Sequence, residues 1–197
     1  MPEQHDNSER LVAEIIRLIG DDPGRKGLLE TPARVVRSWA ELFDGYDQDP
    51  EAIVKTFDLD DCQLADCGKD YPGDMVYLRD IEFHSTCEHH MLPFIGVAHV
   101  GYIPDKIVIG ASKMARLVDC FAHRLQIQER ICHQVTSTIM STIAPKGAAC
   151  IIEAKHQCMV CRGVRKQHSV MGSSSMRGSF MDNLSTRMEF ISLITRR

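Results

Sequence analysis

The chain has 197 residues, 44% of them hydrophobic and 25% charged, an ordinary globular balance that can bury a sizeable core without disulfides. Its formal net charge of −4 argues against a nucleic-acid binder, so an anionic ligand has to be met by a local cluster of Arg and Lys. No apolar run approaches membrane-spanning length, and the opening stretch MPEQHDNSER has no apolar leader core. The expected setting is the cytoplasm, with no membrane partner, where the eight cysteines stay reduced.

In chain order, a helix is predicted over 8–19, with Leu11, Val12, Ile15, Ile16, Leu18 and Ile19 on one broad face and Gly20 as its stop. Thr31 and Pro32 read as N-cap and first residue of a second helix that runs to about Phe43. Arg34, Arg37 and Glu41 share its polar side. Residues 46–73 show little periodicity and are expected to be irregular. VYLRDIEFHST (76–86) and FIGVAHVGYIP (94–104) alternate as the strands of a hairpin, with Cys87-Glu88-His89-His90 between them. Ser112 is placed to cap a helix carrying Met114, Leu117, Val118 and Phe121, and another helix is expected from about Gln126. AACIIEAKHQCMV (148–160) reads as a strand, followed by a strand near 167–180 and a helix near 183–195. Cys120, Cys132 and Cys150 fall in apolar segments and are assigned to the core. The pattern implies an α+β fold, an antiparallel β-sheet with helices on one face, preceded by an N-terminal helical extension. The domain reading is a helical region over 1–60 and a catalytic domain over 61–197.

A thiolate and two imidazoles in four residues are costly to place together without a purpose. Cys87 and His90 are three apart, so a tight bend brings both onto one centre, and thiolate plus imidazole is the usual zinc pairing. His156 and Cys158 would share one face if their segment is a strand. Cys87, His90 and Cys158 then make three ligands with a fourth position open to water, and His89 and His156 stand beside them for proton transfer. The alternative is a closed Cys3His structural site that adds Cys161 from Cys158-x-x-Cys161. Strand alternation opposes it, and a turn would remove that objection. Lys113 and Arg116 open one helix, Arg34 and Arg37 share a face of another, and Arg162 follows the metal strand. Such groups can converge on a polyphosphate. Neither a P-loop nor a Rossmann glycine fingerprint occurs. Gln128-Glu129 opens a helix, where an acid suits the dipole or accepts from a purine edge.

STCEHH, YIPDKIVIGASKMARLVDCFAHRLQIQERI and HQCMVCRGVRK, in that order, resemble the GTP cyclohydrolase I family, with TPARVVR before them and NLSTRMEF after. The resemblance runs from about Thr31 to the C-terminus and implies the tunnelling fold (T-fold). It also implies an allosteric homodecamer of two pentamers with active sites at subunit interfaces. The implied reaction uses GTP and water. It opens the guanine imidazole ring, releases formate and rearranges the ribose to give 7,8-dihydroneopterin triphosphate, the entry to folate and pterin biosynthesis. By the same resemblance Cys87, His90 and Cys158 hold one Zn2+ per subunit, with Cys161 outside the site. His156 and His89 are the catalytic histidines and Ser112 serves the ribose rearrangement. Glu129 and Gln128 meet guanine, and Arg34, Arg37, Lys113, Arg116 and Arg162 meet the triphosphate.

Overall fold

A computed structural model describes residues 2–54, 56–58 and 74–196. The second half of the expected irregular stretch, Cys62, Cys67 and the boundary between residues 60 and 61 lie outside the described residues. The chain divides into two compact units, Met1–Asp44 and Gly45–Arg197.

The first unit is a helix pair, α1 (Pro2–Leu18) and α2 (Thr31–Leu42). Val12 and Ile16 of α1 bury against Val36 of α2, with Val35 and Leu28 packed around them. The rest of the broad apolar face of α1 stays in solvent: Leu11, Ile15, Leu18 and Ile19 are exposed. Glu30, not Thr31, is the N-cap of α2, and Pro32 sits in its first turn, where a missing N–H costs nothing. Between the helices Arg25 grips Asp21 through two 2.8 Å hydrogen bonds, which hold the Asp21 carboxyl down to about 2.

The second unit runs in order through a 3-10 turn (Asp44–Asp47), α3 (Pro50–Ile53), β1 (Thr56–Asp58), β2 (Val76–Cys87), β3 (Pro93–Ile103) and β4 (Ile107–Ile109). It continues through α4 (Ala111–Ala122), β5 (Leu125–Gln126), α5 (Gln128–Ile143), β6 (Gly147–His156), α6 (Gln157–Val160), β7 (Met171–Gly178), α7 (Ser179–Asp182) and α8 (Leu184–Thr195). Five strands form one sheet in the order β5-β2-β3-β6-β7, antiparallel except for the short parallel contact of β5 with β2, and β1 pairs with β4 apart from it. The period-2 alternation works as expected in β3 and β6. Ala98, Val100 and Tyr102 join Ala148, Cys150 and Ile152 in the main core. The cover over them is Leu117, Val118 and Phe121 of α4 with Ile131, Val135 and Ile139 of α5.

Helices on one face only is a reading the structure corrects. Ala149 points away from α4 and α5 and packs with Phe180 of α7 and Phe190 of α8, both fully buried. Gly101 makes room for this second layer, because a Cβ there would stand 2.7 Å from the Phe190 ring. The second correction lies at the end of β6. The predicted strand over 148–160 stops at His156, and Gln157–Val160 turns helical. Gly110, rather than Ser112, occupies the N-cap of α4, and Ser112 lies in its first turn. Gly172-Ser173-Ser174-Ser175, loop-like in composition, is paired strand against Glu153–Cys150 of β6. Among the described residues no helix is long and apolar enough to cross a membrane.

Candidate metal centre

Cys87 is the last residue of β2 and is buried. Its backbone N–H donates to Leu92 O at 2.9 Å, and its carbonyl accepts from Met91 N–H at 2.8 Å. These bonds close a tight bend over Glu88–Met91, with Met91 in the left-handed region at φ 51°. The bend folds His90 back, so its Nδ1 stands 3.6 Å from Cys87 Sγ. Cys158 arrives from the other side on α6. Ligand atoms of Cys87, His90 and Cys158 all lie within 4.8 Å of one another. Cys87 is buried, Cys158 half-buried and His90 exposed, so the group opens toward solvent on the His90 side. Burial raises the Cys158 thiol pKa first, and the neighbouring Cys87 adds to it.

The geometry reaches this cluster by a different route from strand alternation. Because β6 ends at His156, Cys158 and Cys161 sit on one helical turn, and the objection that they must face opposite ways no longer holds. Cys161 still stands apart. Its exposed Sγ donates to Gln157 O at 3.0 Å, and it is not in the group that gathers within 4.8 Å.

His156 lies buried beside this cluster at the end of β6, opposite Phe94 in the β3–β6 register. Its ring stacks on Phe94 with centroids 4.4 Å apart and planes 4° from parallel. Burial lowers its pKa, and the nearby Glu129 carboxylate partly offsets that. His89 is exposed, with Nε2 3.9 Å from Glu88 Oε1. Glu88 is fixed by a two-pronged ion pair with Arg130, whose hydrogen bonds hold the Glu88 carboxyl below its ordinary range.

Of the remaining expected site residues, Glu129 is exposed in the first turn of α5. Ser112 and Arg116 are exposed on α4 and Lys113 is partly exposed there. Arg162 is exposed just after α6, and its charge lowers the Cys158 pKa slightly. Gln128 is 1% exposed, and its amide is hydrogen-bonded to β6, β7 and His156. Arg34 and Arg37 belong to the first unit, where both are exposed and Arg34 pairs with Glu30. Phe94 and Arg130 are the site residues that sequence reasoning missed. Phe94 reads as an ordinary inward strand position, and only the register shows what it touches.

Fold and site together define an α+β enzyme scaffold whose strand ends carry a three-donor group able to hold a metal beside a buried histidine. Comparison with known proteins narrows that class. A family profile described as GTP cyclohydrolase I matches residues 8–195. The chain is 50% identical over 184 residues to GTP cyclohydrolase 1 of Wolinella succinogenes, covering 93% of each chain. It is 48% identical to GTP cyclohydrolase 1 of Chlorobium chlorochromatii, over 97% of this chain and 82% of that one. It is 45% identical to that of Methylococcus capsulatus, over 98% of this chain and 100% of the other. Among solved structures, an archaeosine synthase QueF-Like in its apo form gives a TM-score of 0.44 at 14% identity, over 53% of this chain and 93% of that chain, a likeness too slight to argue from. The chain belongs to the GTP cyclohydrolase I family.

Proposed function

We propose that this chain converts GTP and water to formate and 7,8-dihydroneopterin triphosphate, with zinc as its resident metal. The observation that carries the reading is the gathering of Cys87, His90 and Cys158 within 4.8 Å, next to His156, in a chain of this family. Two thiolates and an imidazole are a donor set that suits zinc, and a three-donor group open on one side suits a catalytic rather than a structural role. When bound, the metal supplies the Lewis acidity that activates water near neutral pH.

The chain's own residues bind, orient and move protons. His156, held flat by Phe94, gives a proton to N7 of the purine and so makes C8 electrophilic. His89, exposed on the bend, assists proton movement at the opened ring. The Glu129 carboxylate accepts from the N–H groups of the guanine edge. Ser112 serves the ribose rearrangement. Lys113, Arg116 and Arg162, joined by Arg34 and Arg37, meet the triphosphate. The helix N-terminus at Lys113 adds a favourable field for anions.

The second unit, Gly45–Arg197, is the catalytic part of a T-fold protein, and the first, Met1–Asp44, is its helical extension. The assembly is a homodecamer with active sites between subunits, working in the cytoplasm. Exposed apolar side chains support association: Met181, Leu184 and Met188 on α7 and α8 are 54–70% exposed. The function is tested by incubating the zinc-loaded protein with GTP, oxidising the product and measuring pterin fluorescence. A fluorescent triphosphorylated pterin supports the reading. Turnover of pterin substrates with none of GTP overturns it.

A further inference from the structure

Gln128 has a role that its neighbour Glu129 does not share. Its side-chain Nε2 lies 3.0 Å from Ile152 O, 2.9 Å from Met171 O and 3.1 Å from Ser173 Oγ. Carbonyl oxygens only accept, so the amide atom between them has to be the NH2 group. The flipped amide would set an oxygen against two carbonyl oxygens around a side chain that is 1% exposed. The assignment fixes the other end of the amide. Oε1 faces His156 Nε2 at 2.9 Å, and an amide oxygen only accepts, so His156 Nε2 has to carry a hydrogen. The ring cannot swing away, because Phe94 stacks on it within 4° of parallel. Among the described residues His156 Nδ1 has no hydrogen-bond partner.

We infer that Gln128 is a positioning residue for His156: it locks the imidazole with hydrogen on Nε2, so that Nδ1 alone exchanges protons with the reacting ring. This inference rests on the GTP ring-opening reading of the site. The Nε2–H···Oε1 bond is kept in both states of the ring. In the neutral ring Nδ1 carries the lone pair and takes up a proton. In the cation both nitrogens carry hydrogen, and the Nδ1–H bond breaks as the purine N–H forms. No buried hydrogen bond is broken in the cycle, and the proton leaves from a fixed atom in a fixed direction. Without the Gln128 oxygen, either nitrogen can carry the hydrogen, and a share of molecules presents an N–H where a lone pair is needed.

The test uses full-length, zinc-loaded protein labelled with 15N-histidine. Long-range 1H–15N spectra in mildly alkaline buffer, with His156 assigned by its loss in His156→Asn, are expected to show hydrogen on Nε2 and a bare Nδ1. Hydrogen on Nδ1 overturns the inference. Gln128→Met keeps the buried volume and removes the acceptor. It is expected to lower kcat for GTP about 10- to 100-fold with KM and zinc content unchanged, and to mix the two ring forms. A raised KM at unchanged kcat means that Gln128 contacts the purine, and an unchanged kcat means that it does not position the ring; either result overturns the inference. If Gln128→Met does not fold, the spectrum of the unsubstituted protein decides alone. If that protein fails to turn over GTP, the functional reading falls while the ring form is still measured.

Discussion

At the residue scale the question is which cysteines could hold a metal. Cys158 and Cys161 look interchangeable as a C-x-x-C pair, and both sit on the same helical turn. Only Cys158 joins Cys87 and His90, while the Cys161 sulfur is exposed and turned to Gln157 O. Cys158→Ser is therefore expected to lose stoichiometric zinc and GTP turnover together, and Cys161→Ser to keep both. Metal analysis of the two purified variants checks this, and loss of zinc in Cys161→Ser would restore the closed four-ligand site. The Cys87–His90 part of this group was legible because soft donors three residues apart carry their chemistry in their side chains. Gln128 was not, since its meaning depends on burial: only the packing of α5 on β6 and β7 decides that its amide faces inward.

At the element scale the site depends on where β2, β3 and β6 end and on how closely they run. Gly96 in β3 lies opposite Ala154, two positions along the ladder from the Phe94–His156 pair. A Cβ at Gly96 would come 2.0 Å from Glu153 O and 2.6 Å from Ala154 Cα, both parts of the backbone. Gly96→Ala is thus expected to cost about 1–3 kcal/mol of stability, read from chemical denaturation. Wild-type stability in that variant would contradict this packing. A second element-scale feature is the β-bulge of β2 between Leu78 and Ile81, where Asp80 holds φ 56°. The Asp80 N–H donates to Nδ1 of buried His99 at 3.1 Å. Burial lowers the His99 pKa, against the pull of Asp80 and Glu153 and with some help from Arg79.

The sign follows directly. Between the lowered folded value and the ordinary imidazole value of about 6.5, the unfolded chain binds more protons than the folded one. Stability from this group is full above about pH 6.5 and declines as the pH falls through that window. His99→Gln keeps an acceptor for the Asp80 N–H and does not titrate, so its stability is expected to fall less between about pH 7 and pH 5. Equal slopes for the two proteins would contradict the assignment. The strands themselves were readable from alternation, but their ends were not. The end of β6 in particular has no glycine or proline to mark it, since Glu153–Met159 runs on without a break signal until tertiary packing turns it.

At the scale of the whole molecule the sequence pattern yields ββαα and ββα blocks in the right order, because apolar periodicity reports burial on the α4–α5 face. It misses the second layer of α7 and α8. Phe180 and Phe190 find their partners only where the sheet offers Ala149 and Gly101 beneath them. The exposed apolar residues of α7 and α8 lead to the expectation of an assembly, and light scattering on the full chain should give the mass of a homodecamer. A monomer that retains full GTP turnover would contradict active sites shared between subunits.

The most direct test of the central claim follows the carbon that the reaction expels. Zinc-loaded protein given GTP labelled at C8 is expected to release one labelled formate for each GTP consumed, and Cys158→Ser none. GTP consumption with the label retained in the purine product, or no consumption by zinc-replete protein, would contradict the account.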